Sequence, residues 1–164
     1  MCMPELREPA HQVSPWAKRM WLAQGAITVL VLLAVQVGWW FLNDEGDRTA
    51  NGVVAGVWLV ASVAYLVIMP RWRYRVHRWE TTPTAVYTQT GWLTQEKRIA
   101  PVSRIQTVDL ARGPLAQLFR LASVTVTTAS AAGPLRIHGL DLADAQRLVA
   151  ELTAETAAEQ GDAT

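Results

Sequence analysis

Cysteine is nearly absent from these 164 residues: Cys2 stands alone, which excludes a disulfide framework and a thiolate metal cluster. Histidine is sparse as well. His11, His77 and His138 are scattered, with no carboxylate or cysteine neighbour at ligand spacing, so neither a metal nor a cofactor is expected. There is no glycine-rich phosphate loop, and Ser103 and Ser123 lack the context of a nucleophile elbow. Glu96 and Asp109 have no sequence reason to meet as an acid/base pair. The chain is therefore not expected to be an enzyme. Net charge is only +1, so bulk electrostatics gives no reason to expect a nucleic-acid partner.

The most telling absence is of charge in two places. Residues 21–42 and 52–69 contain no Lys, Arg, Asp or Glu. A helix crossing ~30 Å of hydrocarbon needs roughly 20 apolar residues at ~1.5 Å rise. The runs read as two transmembrane helices, 20–42 and 52–70, joined by an extracytoplasmic loop at 43–51. A signal peptide is a poor alternative for the first, because the run is too long, no small-residue cleavage site follows and a second span comes directly after it. The polar residues within them (Gln24, Thr28, Gln36, Ser62 and Tyr65) carry no charge, which argues against an ion or proton path.

Charge returns at the ends of the runs. Lys18 and Arg19 precede the first, and Arg71, Arg73, Arg75 and Arg78 follow the second, whereas the loop has one Arg and three acidic residues. Basic residues beside span ends mark the cytoplasmic side, so both termini are expected there, in a multi-pass plasma-membrane protein. Of the 8 Trp, Trp16, Trp21, Trp39, Trp40 and Trp72 lie near span ends, where an indole is expected at the headgroup boundary. Trp58, near mid-span, is expected to pack on the first helix. Gly52 and Gly56 form a small-xxx-small step suited to close packing within the hairpin, with a dimer seam as the alternative.

Residues 1–19, with Pro4, Pro9 and Pro15, read as a flexible cytoplasmic leader. Beyond Pro70 the period changes to two. Trp72, Tyr74 and Val76 alternate with Arg71, Arg73, Arg75 and His77, the pattern of a half-buried strand. Further strands are expected at 85–89, 92–100, 105–110, 123–128 and 135–138, with Thr90-Gly91 as a tight turn and a helical turn after Gly113-Pro114. Asp141 is placed as the N-cap of a final helix whose Leu142, Ala145, Leu148, Val149 and Leu152 share one face. Residues 71–156 thus read as one small domain, a strongly bent sheet or barrel with a C-terminal helix across one opening, followed by a tail at 157–164.

Gly91-Trp92-Leu93, Arg98-Ile99-Ala100-Pro101, Arg104-Ile105-Gln106-Thr107-Val108, Gly113-Pro114-Leu115, Leu121 to Val126 and Ile137-His138-Gly139-Leu140 occur in this order behind the paired spans. In this the chain resembles the bacterial pleckstrin-homology-like membrane proteins of the YdbS-like, or membrane-flanked domain, family. The resemblance implies a membrane α-helical hairpin followed by a mainly-β pleckstrin-homology-like barrel with a C-terminal helix, facing the cytoplasm, and no shared catalytic motif. One departure is Arg120, in Leu118-Phe119-Arg120-Leu121, where family members usually have glycine. Its effect is expected on the local turn.

The remaining signal is the basic strand. Arg71, Arg73 and Arg75, with Trp72, Tyr74 and Arg78 nearby, form a candidate membrane-surface or partner contact. A basic residue close to an anionic leaflet gains on the order of 1 kcal/mol, decaying over ~8 Å. The expected role is a non-catalytic interaction module docking a protein partner or the inner-leaflet surface. The alternatives are a lipid- or small-molecule-binding sensor, or an accessory subunit of an envelope complex. Expected partners are membrane lipids and another membrane protein or a second copy.

Overall fold

The computed structural model describes residues 8–42, 48–92, 94–129 and 133–162. The apolar runs become two long helices, α1 (Trp16–Leu42) and α2 (Arg48–Val76). They are long and apolar enough to cross a bilayer, with mean hydropathy 2.0 and 2.3 over windows only 6% and 11% buried. A soluble core helix of that composition would be covered by its own protein. Here Leu30, Val35, Val57 and Val60 face outward, among many others. Of the expected loop, residues 43–47 lie outside the described residues, and 48–51 form the first turn of α2.

α2 does not stop at Pro70. Residues 71–76, expected as a strand, continue the helix to Val76. Pro70 withholds the N–H that would bond the Leu66 carbonyl, a loss tolerated when neighbours re-satisfy the backbone. On the next rung Arg71 Nη1 donates to the Val67 carbonyl at 2.7 Å. Packing then overrides the alternating pattern: Met69, Pro70 and Val76 are buried, and Arg73 and Arg75 in the last turn suit the helix dipole.

The leader is not wholly flexible. Its residues His11–Gln12 form β1, paired antiparallel with β2 (Arg78–Thr81), His11 opposite Trp79. Val13 and Ser14 are buried, and Ser14 N–H donates to the Gly139 carbonyl at 2.9 Å. The helical hairpin is thus an excursion between the first two strands of one sheet. That sheet has the order β1-β2-β3-β4, with β3 (Ala85–Gly91) and β4 (Gln95–Pro101). The second sheet is a meander of β5 (Ile105–Ala111), β6 (Leu121–Thr128) and β7 (Leu135–Asp141), with the short α3 (Pro114–Leu118) between β5 and β6. α4 (Leu142–Asp162) closes the domain.

The core lies between the sheets and α4. Val86, Ala100 and Val102 meet Leu121, Val124, Val126, Ile137 and Leu140, and Ala145, Leu148 and Leu152 of α4 cover them. Leu148 and Leu152 are each 1% exposed, so truncating either to Ala costs roughly 2–5 kcal/mol. Asp141, expected as the N-cap of the final helix, is the last residue of β7 and directly precedes α4; its carboxylate accepts the Ser14 hydroxyl at 2.9 Å. The hairpin between β3 and β4 turns at Gly91, so Trp92 lies in the connection and not in a strand. With φ at 140° and an added Cβ only 2.0 Å from the Thr94 carbonyl oxygen, that position requires glycine.

Two expectations about the membrane helices are corrected. A Cβ added at Gly52 or Gly56 meets nothing within 4 Å, so neither supports close packing within the hairpin. The close approach is at Gly25, where an added Cβ lies 3.1 Å from Leu66 Cδ2 and 3.4 Å from Tyr65. The helices touch near the β domain and leave apolar crevices of about 410 and 460 Å³ toward their connected end, both lined by Gln36, Trp40 and Trp58. Trp21 is likewise no boundary residue: it is 1% exposed and belongs to the core.

Candidate functional site

The site grows from one contact, between the start of α1 and β7. Gly139 has φ +77°, and an added Cβ there would lie 2.8 Å from the Ala17 Cβ. Only glycine lets the strand come this close to the helix. That proximity sets Trp21 over the domain, its ring 5.0 Å from the ring of His77, the residue following α2. The Arg73 guanidinium lies over the other partner of this joint, 4.8 Å from the Trp21 ring. Helix ends and sheet are therefore locked through one aromatic-cationic stack.

His77 is 3% exposed. Its Nδ1–H donates to the Arg73 carbonyl at 2.7 Å, which fixes the tautomer because a carbonyl only accepts. Burial pushes the imidazole down from 6.5 to about 4; the hydrogen bond to Arg73 opposes this, and the Arg73 guanidinium and His138 add to it. His138 shares a 3.2 Å hydrogen bond with the Ser123 hydroxyl, and burial, then Arg73 and Arg136, lower its pKa too. Both rings are thereby held neutral near a cation. Among the described residues no group of His, Cys, Asp and Glu is arranged to hold a metal ion.

The six residues expected to share a contact face are distributed otherwise. On a helix Arg71 and Arg75 lie one turn apart on one side, and Arg73 points about 160° away from each of them. Arg71, Trp72 and Arg75 are exposed; Arg73 and Tyr74 are half-buried toward α1. Lys18 Nζ sits 4.1 Å above the Tyr74 ring, and Arg19 covers the Trp16 ring at 4.4 Å. Arg78 begins β2 and pairs with Glu8 at 3.6 Å. The result is a collar of cations around both helix ends, replacing the single basic face. Lys18, Arg19 and Trp16 were visible in the sequence as span-end residues; a helical reading of 71–76 would have joined them to the arginines.

Trp72 belongs to this collar and has a second partner. Its indole N–H donates to the Trp92 carbonyl at 2.8 Å, and the Trp92 ring meets Tyr65 of α2 edge-on at 5.7 Å. Beside the turn, Thr88, Thr90, Arg98, Arg136 and His138 line a polar groove of about 350 Å³. Arg98 is already engaged there, at 2.6 Å from Glu96 and 3.2 Å from the Pro134 carbonyl. The groove has polar walls, and His138, hydrogen-bonded to the Ser123 hydroxyl, is one of them.

Residues 19–156 match the family model described as Bacterial PH domain. The UPF0699 transmembrane protein YdbS of Bacillus subtilis (strain 168) is 30% identical over 145 residues, covering 86% of this chain and 89% of that protein. No solved structure matches. The chain belongs to the bacterial PH domain family, of YdbS-like type, and is a transmembrane protein carrying such a domain.

Proposed function

We propose that this protein crosses the plasma membrane twice, with both termini cytoplasmic, and holds its PH domain against the inner leaflet as a non-catalytic docking module. The observation that carries the reading is the collar: Lys18, Arg19, Arg71 and Arg75 encircle the points where two apolar helices leave the domain, two of them stacked on aromatic rings. A collar at that level faces anionic headgroups, each cation worth on the order of 1 kcal/mol. The distribution of basic residues supports the orientation.

Two experiments test it. A cysteine at Thr49 in a Cys2→Ser background should react with an impermeant thiol reagent in intact cells; protection there reverses the orientation. The full chain in nanodiscs should show slower amide exchange around residues 71–81 when phosphatidylglycerol is added to phosphatidylcholine. Arg71→Glu with Arg75→Glu should abolish that difference, and its persistence in the double variant defeats surface docking.

Docking of a protein partner is the second reading, favoured by β5. This edge strand carries one charged residue, Asp109, and exposes Leu110, whereas β4, an edge of the other sheet, carries Glu96, Lys97 and Arg98. Charged edges resist pairing and uncharged ones invite it. Photo-crosslinking from Leu110 in cells should give a discrete adduct with a membrane protein; adducts with lipid alone count against this version.

A further inference from the structure

We propose that Trp92, following β3, is a third membrane contact, seated in the headgroup–acyl boundary of the leaflet from which α1 and α2 emerge. The occupant of this surface is lipid. The inference rests on both helices crossing the bilayer, but not on which leaflet the domain faces or on the basic collar.

The level of the boundary follows from helix length. Counting ~30 Å of hydrocarbon at ~1.5 Å per residue from the connected end gives about 20 residues. From Leu42 this reaches Leu22, and from Gly52 it reaches Trp72; the Arg73 guanidinium over the Trp21 ring, 4.8 Å away, sets these two levels side by side. Trp72 therefore marks the boundary on the domain side. The Trp92 carbonyl accepts its indole N–H at 2.8 Å, which places the turn at that plane. The Trp92 ring reaches further, edge-on to Tyr65 at 5.7 Å. Tyr65 lies seven residues nearer the middle of α2, a rise of about 10 Å. The indole thus sits on the hydrocarbon side of Trp72.

The chemistry of the turn fits that depth. Trp92 remains 38% exposed beside a helix on which Ile68, one turn from both Tyr65 and Trp72, is also exposed, so apolar surface lies on both. An indole is the side chain best suited to the boundary, with an apolar ring and a polar N–H. Trp92-Leu93-Thr94 carries no charge, and the first charged residues, Glu96, Lys97 and Arg98, come lower on β4. At ~3.3 Å per strand residue they lie at headgroup level when the tip is seated. Two helices alone leave the domain free to rock about their axis plane; a third point removes that freedom.

The test uses the full chain with Cys2→Ser and an environment-sensitive fluorophore on Thr94→Cys, which keeps Trp92. The control label is on Ser103→Cys, exposed just beyond the far end of β4. In phosphatidylcholine nanodiscs containing lipid spin-labelled near the top of the acyl chain, the Thr94 label should be blue-shifted and quenched several-fold more than the Ser103 label. Quenching should persist without anionic lipid, which separates this result from the collar's dependence on phosphatidylglycerol. Trp92→Glu should reduce quenching at Thr94 to the control level with the melting temperature retained; should that variant fail to fold, Trp92→Gln serves the same comparison. Equal, weak quenching at both positions overturns the proposal, and so does a blue shift at Thr94 without lipid quenching, which means that protein covers the tip.

Discussion

Arg120 is the one non-glycine residue among those described with positive φ, at 55°. It sits where α3 hands over to β6, and its backbone is committed on both sides. Its N–H donates to the Gln117 carbonyl at 3.2 Å, and its carbonyl accepts the N–H of Leu142, the first residue of α4, at 3.1 Å. The turn cannot relax without releasing the start of α4. A left-handed conformation costs a residue with a Cβ roughly 1–2 kcal/mol. Glycine avoids that cost but loses about 0.5–1 kcal/mol through its freer unfolded chain. Arg120→Gly should therefore stabilise the protein by about 0.5–1 kcal/mol. For a domain of this size that is a rise of roughly 2–8 °C in melting temperature. The assay is thermal unfolding of the full chain in detergent, followed by tryptophan fluorescence. Arg120→Ala is the control, since it removes the guanidinium and keeps the Cβ, and it should give no gain. A glycine variant that melts at or below the parent refutes the reasoning; an equal gain from alanine moves the cause to the side chain.

The joint between α1 and β7 should be less tolerant. Gly139→Ala combines an unfavourable φ with a 2.8 Å contact on Ala17, and should cost about 2–5 kcal/mol in the same assay; Ala17→Gly should restore the part due to contact and leave the part due to φ. His77 makes stability depend on pH. Its folded value, about 4, lies below the ordinary 6.5, so the unfolded chain binds the extra proton between the two. Stability should be level above pH 7 and fall as pH drops from about 6.5 toward 4, by about 3 kcal/mol over the full interval. His77→Gln should flatten that portion of the profile; an unchanged slope would place the loss elsewhere, with His138 the next group to replace.

Much of the architecture was legible in one dimension because the interactions that set it are local in sequence. Two uncharged runs of membrane length, the alternation of Val124 and Val126 with Thr125 and Thr127, the Gly113-Pro114 turn and the stripe of α4 each report a periodicity or a breaker that acts within a few residues. The departure at Arg120 also pointed to the right turn, since a glycine-preferring position implies positive φ. The site was less legible. Arg71 to His77 alternates as a strand does, and seven residues of alternation do not distinguish a strand from the last turns of a helix when both faces have partners.

The sequence by itself determined that the chain carries two uncharged runs of membrane length, a small β domain behind them and a closing amphipathic helix, because burial in lipid or in a core is written in composition and period. Only the tertiary structure decided that the leader supplies the first strand, that α2 runs through Pro70 to deliver a collar instead of a basic strand face, that Trp21, expected at a span end, lies in the core, and that Trp92, expected in a strand, lies in a connection against α2. Those outcomes depend on contacts such as Ser14 with Gly139, Trp21 with His77 and Trp72 with Trp92, between residues too far apart along the chain for any local pattern to record them.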